Sequence, residues 1–227
     1  MSSTPSTTLT LYYHPLSSFC HKVLIALYEN NIEFETRIID LGNEADRAEL
    51  QAIWPFEKFP VIHDHARERD VAESTVIIEY LDHYFAGERS LIPTDWQAAF
   101  EVRFWDRVFD HYVHRPMQQI VGDRIHGSHA DLTNERTTLD TAYRMIDHHM
   151  ASRIWASGQD FSMADCAGAP ALFFACNLQA FPNEFSHLSA YFDRLLRRPS
   201  FARVLEETKP YLSMYPFADA IPQRFCE

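Results

Sequence analysis

Basic side chains are few: 20 lysines and arginines face 32 aspartates and glutamates in 227 residues, a formal charge of −12. No five of them adjoin, and phosphate backbones are gripped by clustered Lys and Arg, so no nucleic-acid partner is expected. Cysteine is equally sparse. Cys20, Cys166, Cys176 and Cys226 form neither a C-x-x-C pair nor the dense framework of a secreted disulfide scaffold. A reducing cytoplasm is the expected setting. No apolar run approaches the ~18–20 residues of a membrane span, so no membrane partner is expected. The polar, uncharged start from Met1 to Thr8 lacks the basic and apolar regions of a secretory signal. Among 12 histidines, His63 and His65 share a strand face and His148 and His149 adjoin. No thiolate or helical His–Glu pair completes a metal set there, and no metal is expected.

What is present is a foldable chain. Hydrophobic residues make up 46% and aromatics 14%, which excludes a disordered polymer. At ~100–200 residues per domain the length fits one large domain or two small ones. Thr8 to Tyr13 alternates as a strand, and Phe19 to Asn30 reads as a helix buried through Val23 to Tyr28. Glu33 to Asp40 is a second strand and Asn43 to Trp54 a polar helix. Pro60 to Ile62 and the polar Arg67 to Val71 are short strands, the latter suited to an edge. Glu73 to Phe85 carries Val76, Ile77, Tyr80, Leu81 and Tyr84 on one helical face. The pattern breaks across 87–93. Beyond it only helices are expected: Trp96 to Asp123 with a kink or break at Pro116, then Thr133 to Ile154, Ser162 to Cys176, Leu188 to Arg197 and a last one from Pro199. An α/β domain (βαβαββα, residues 1–86) thus precedes an all-helical one (94–227).

Four segments could carry chemistry. In the turn from His14 to Cys20, a helix N-terminus offers unpaired N–H groups and partial positive charge. A serine hydroxyl there could donate to a thiolate, and lowering a thiol pKa from ~8.5 by about two units corresponds to ~2.7 kcal/mol. The plainer role for Ser17 or Ser18 is to cap the helix. Lys58-Phe59-Pro60-Val61 puts a proline at a strand start; if the bond is cis, the Phe59 backbone turns outward, able to pair with an extended peptide. Glu73 and Ser74 precede a striped helix. Ser74 suits an N-cap, while the acid and the helix amides suit the two charges of an amino-acid end group. Ser162 and Asp165, in S-x-x-D spacing, read as a capping box, with Phe161 and Cys166 at the staple positions.

In order and spacing these pieces resemble a cytosolic glutathione transferase of the bacterial, serine-type kind, over nearly the whole chain. SSFCHKVLIAL (17–27) is similar to the family's β1–α1 segment, KFPVI (58–62) to its cis-proline turn and AESTVIIEYL (72–81) to its Glu-Ser clamp. SMAD (162–165) and LLRRPSFARVLE (195–206) resemble its later helical signatures. The resemblance implies a thioredoxin-like N-terminal domain, an all-helical C-terminal domain, and reduced glutathione as co-substrate. It places Phe59 and cis Pro60 at the cysteinyl backbone, Glu73 and Ser74 at the γ-glutamyl end and Lys58 facing the glycine carboxylate. Ser17 falls at the catalytic position, with Ser18 and Tyr13, and less so Tyr12, as competitors.

The implied reaction is attack of the glutathione thiolate on a hydrophobic electrophile. Phe109, Tyr112 and Arg115 are acceptor-side candidates, although such a stripe is more often core. A homodimer is the family's expectation. Glu57 departs from the family's NPxGK by replacing glycine and adding negative charge. Two other functions are open: a non-catalytic binding protein on the same fold, like the stringent starvation proteins, with Glu57 and the tail from Tyr211 to Glu227 as interaction features, or a thiol-disulfide oxidoreductase using Cys20.

Overall fold

The computed structural model describes residues 8–85, 87 and 90–226. Two compact units meet in sequence at Ser90 and Leu91. Residues 88 and 89 of the expected 87–93 connection, residue 86, and residues 1–7 and 227 of the terminal segments lie outside the described set.

The first unit is a four-stranded mixed sheet with three helices: β1 (Leu9–Tyr13), α1 (Ser18–Glu29), β2 (Glu35–Ile38), α2 (Glu44–Ile53), β3 (Val61–Asp64), β4 (Arg69–Ala72) and α3 (Ser74–Tyr84). Strand order is β2-β1-β3-β4, with β1 and β2 parallel and the other pairs antiparallel. The polar β4 is an edge, as its sequence suggests. Alternation along β1 sends Leu9 and Leu11 into the core while Tyr12 packs on the other face with Ile39, Leu50 and Val61. Helix α1 is buried on nearly every side, from Cys20 to Leu27, and packs against α3. Each fully buried Leu or Ile there contributes ~1.5–3 kcal/mol. Asp64, buried, accepts from Tyr80 Oη (2.8 Å) and Arg67 (2.9 Å), pinning the β3–β4 hairpin to α3.

The second unit is helical: α4 (Trp96–Phe109), α5 (Arg115–His126), α6 (Thr133–Met150), α7 (Met163–Leu178), α8 (Ser186–Leu196) and α9 (Pro199–Thr208), followed by short 3-10 turns. Two sequence expectations need correction. The irregularity near Pro116 is a π-helical turn, Asp110–His114, in which the Arg115 amide reaches back five residues to the Asp110 carbonyl. Proline has no N–H for the carbonyl four residues before it, and the wider turn absorbs that mismatch without breaking the helix. Helix α6 ends at Met150, not Ile154; Ala151 and Arg153 turn back onto His148 and Met150.

Asp165 closes on the start of α7 as the S-x-x-D spacing requires. Its carboxylate accepts from the Ser162 amide and the Ala156 amide (both 2.9 Å) and from Tyr191 Oη (2.7 Å). Phe161 sets its ring edge-on against Trp155 at 5.1 Å. The described part of the tail packs on its own unit. Tyr215 lies against Phe174 and Phe225 against Phe173.

Candidate active site

The sheet register gathers the N-terminal candidates. Tyr12 pairs with Val61, and Val61 pairs with Ala72. The turn after β1, the Phe59–Pro60 segment before β3 and the Glu73–Ser74 segment after β4 therefore leave one end of the sheet. Three stretches, about 14, 60 and 73 residues along the chain, become neighbours because antiparallel pairing places a strand's end beside the next strand's start. A direct contact shows the proximity: the His14 ring stacks on Phe59, with centroids 5.9 Å apart and planes 20° apart.

Ser17 is the N-cap of α1. Its backbone is extended, its amide donates to the His14 carbonyl (3.0 Å), and its Oγ accepts from the Cys20 amide at 3.3 Å. A hydroxyl carries two lone pairs and one proton, so accepting the cap bond leaves its hydrogen free to donate elsewhere. Capping and thiolate stabilisation are compatible roles for one atom. Ser17 is half-buried, whereas Ser18 is buried as the first residue of the helix. Tyr13 and Tyr12 are half-buried. Burial, then Glu49 and Asp70, push the Tyr12 phenol above its ordinary pKa, making it a weaker proton donor.

The Phe59–Pro60 peptide bond is cis. Lys58 is exposed, Phe59 half-buried and Pro60 buried. Glu57, the departure from glycine, adopts φ 53°, the left-handed region that glycine enters freely and a residue with a Cβ enters at a cost of ~1 kcal/mol. Its carboxylate lies 3.9 Å from Arg47, which offsets part of the added negative charge.

Glu73, not Ser74, takes the N-cap position of α3, and without a side-chain bond to the helix. Ser74 is already helical and buried, so its hydroxyl is not the cap the sequence suggested. Glu73 is exposed at φ 68° and ψ 112°, a conformation costing ~1–3 kcal/mol, of the kind that gathers at ligand clamps. Its side chain is exposed and makes no bond to the first-turn amides, which lack intrahelical acceptors. Beneath them the fully buried Lys22 donates from Nζ to Thr75 Oγ1 at 2.9 Å, tying α1 to the first turn of α3.

Two residues of this end escaped the sequence reading: His14 and Lys22. Nothing in their spacing marks them, since the first acts through a ring stack to Phe59 and the second through a bond to another helix. Cys20 is fully buried, and burial pushes its thiol up to about 12 against the opposing Ser17 hydroxyl and His14 backbone. Such a thiol is inert near neutral pH, which weighs against the oxidoreductase reading. Phe109 is also fully buried, against Trp105 and Tyr191, and belongs to the core of the helical unit. Tyr112 and Arg115 are exposed. His63 and His65 are bonded to Asp70 and Thr10, and His149 stacks on Trp105.

A thioredoxin-like α/β unit with a four-stranded mixed sheet, followed in sequence by an all-helical unit, defines the glutathione transferase fold. Comparison with known proteins agrees. Residues 11–89 match the glutathione S-transferase N-terminal domain and residues 103–199 the glutathione S-transferase C-terminal domain. A glutathione S-transferase of Silene vulgaris is 27% identical over 87% of this chain and 97% of its own. A stringent starvation protein A homolog of Coxiella burnetii is 25% identical over 90% of this chain and 94% of its own. Among solved structures, a Methylobacillus flagellatus glutathione S-transferase with glutathione bound superposes with a TM-score of 0.73 at 22% identity, over 86% of this chain and 98% of that one. The chain belongs to the glutathione S-transferase family.

Proposed function

We propose that the protein conjugates reduced glutathione to a hydrophobic electrophile, with Ser17 donating to the thiolate. The observation that carries this reading is the register Tyr12–Val61–Ala72, which brings three chain segments to one end of the sheet. The Phe59 main chain offers an extended partner for the cysteinyl backbone. Glu73 supplies an anion for the γ-glutamyl ammonium, while Ser74 and the first-turn amides of α3 supply donors for its carboxylate. Exposed Lys58 is the cation for the glycine carboxylate.

The chemistry follows from the position of Ser17. Its hydrogen and the N-terminus of α1 both favour the ionised thiol, so a thiolate is held at a pH where the free thiol keeps its proton. Carbon–sulfur bond formation then needs only the electrophile in line: in a substitution the leaving group departs with its electron pair into solvent, and in an addition the resulting carbanion takes a proton from water. No covalent enzyme intermediate is required. Tyr112 and Arg115 are the acceptor-side residues left to test. A cytoplasmic homodimer, as is usual in the family, is the assembly in which the reaction is proposed to run.

The relative named as a stringent starvation protein A homolog keeps a second reading in view, a binding protein that has lost catalysis. Calorimetric titration with reduced glutathione separates the two. One-per-chain saturation, with conjugation of an activated chloronitrobenzene, supports the enzyme. A folded sample that takes up no glutathione at several millimolar refutes it and leaves the binding role.

A further inference from the structure

His14 has no part in the conjugation proposed for this site, yet it sits between two of its segments. Its Nδ1 accepts the Leu16 amide at 3.2 Å, inside the turn that its own carbonyl closes by accepting the Ser17 amide at 3.0 Å. Its ring stacks on Phe59. One side chain therefore touches both the turn that carries Ser17 and the segment proposed to hold the cysteinyl backbone.

The geometry points to His14 as a positioning residue: its unprotonated Nδ1 holds the Leu16 amide, and through it the placement of the Ser17 hydroxyl. The catalytic consequence rests on the conjugation reading; the ring's own state does not. A nitrogen that accepts an N–H bond carries no proton, so the neutral ring is fixed as the Nε2–H tautomer. A protonated ring would turn an N–H toward the Leu16 N–H and break the bond. Two donors cannot pair.

The surroundings favour the neutral ring. Burial lowers the His14 pKa, Asp40 after β2 opposes that shift, and the Cys20 thiol beneath the turn is neutral. The acid limb of turnover should then record two ionisations, the thiol of glutathione and His14. Its logarithmic slope should approach about two below both pKa values.

Three readouts test this. In long-range proton–nitrogen spectra of the full chain, with His14 identified by its loss in H14N, the ring should show Nε2–H at pH 7.5. An Nδ1–H ring overturns the inference whether or not the protein conjugates glutathione. H14L keeps bulk against Phe59 but removes the acceptor. It should lower kcat about tenfold with glutathione Kd changed less than about threefold. H14N keeps an acceptor at similar reach and cannot titrate. It should restore kcat to within about threefold of wild type and reduce the acid-limb slope to about one. Wild-type turnover in H14L, or an unaltered limb in H14N, overturns the proposal. Should H14L fail to fold, the tautomer and the H14N profile decide alone. A wild-type protein that neither binds nor conjugates glutathione refutes the function, and the tautomer still decides the inference.

Discussion

Replacing Ser17 by alanine removes one oxygen with one observed duty and one proposed duty, and the two losses can be separated. The first is the cap. Ser17 Oγ accepts the Cys20 amide at 3.3 Å, a long bond, so its loss should cost ~0.5–1 kcal/mol, the lower part of the range for N-caps. In a chain of this length that is a fall in Tm of about 1–4 °C. The second is the bond to the thiolate, a hydrogen bond to a charged group and hence ~1.5–3 kcal/mol. Conjugation at pH 6.5 should drop ~10–100-fold. Glutathione affinity should change by less than ~1.5 kcal/mol, because the proposed partners of the tripeptide at Phe59, Glu73 and Ser74 are untouched.

The pH dependence carries the sharper test. On the proposed role of Ser17, the variant's bound thiol should titrate at higher pH than the wild type's, and its deficit should shrink as pH rises toward ~9. Steady-state kinetics of S17A from pH 5.5 to 9, with S17T as the variant that keeps the hydroxyl, measures this. A deficit of equal size at every pH would refute thiolate stabilisation as the role of Ser17. Unchanged turnover would move the assignment to Tyr13.

Glu73→Ala should weaken glutathione by ~1–2 kcal/mol in calorimetry while leaving the thermal midpoint nearly unchanged, since the exposed carboxylate makes no cap bond. Glu57→Gly should stabilise the chain by ~0.5–1 kcal/mol, read by chemical denaturation, by relieving a left-handed φ of 53°, and should tighten glutathione by removing like charge. Asp165→Asn should destabilise by ~3 kcal/mol. Each carboxylate oxygen takes a backbone N–H, so one of them must face the NH2 group of asparagine. Gly168→Ala sets two effects against each other. A Cβ there would meet Tyr191 Oη at 2.9 Å and Phe109 Cζ at 3.0 Å, an overpacking cost of ~1–3 kcal/mol against ~1 kcal/mol gained in helix propensity. Net destabilisation in thermal unfolding is expected, and a net gain would show that the two rings yield.

Much of the architecture was legible in the chain because it rests on local periodicity. The alternation of LTLYY, the apolar run of α1 and the stripe of α3 each specify an element without reference to any other. Asp165 was legible for the same reason, since a cap and its partner lie three residues apart. Boundaries read less well: α6 stops at Met150 because its last turn bends back on itself, and the chain before Pro116 widens into a π-turn instead of breaking.

For the site, the sequence determined which residue types were available and in what order: Ser17 before a helix, Pro60 before a strand, Glu73 before another helix. Tertiary structure decided the rest. Only the register of β1 with β3 and of β3 with β4 sets those three segments at one sheet end. Burial alone distinguishes half-buried Ser17 from buried Ser18, commits Phe109 to the core and silences Cys20. His14 stacks on Phe59 across 45 residues of chain, and Lys22 reaches Thr75 across 53. Hydrophobic periodicity is a property of neighbours along the chain, whereas burial and contact belong to neighbours in space, and only folding makes the second from the first.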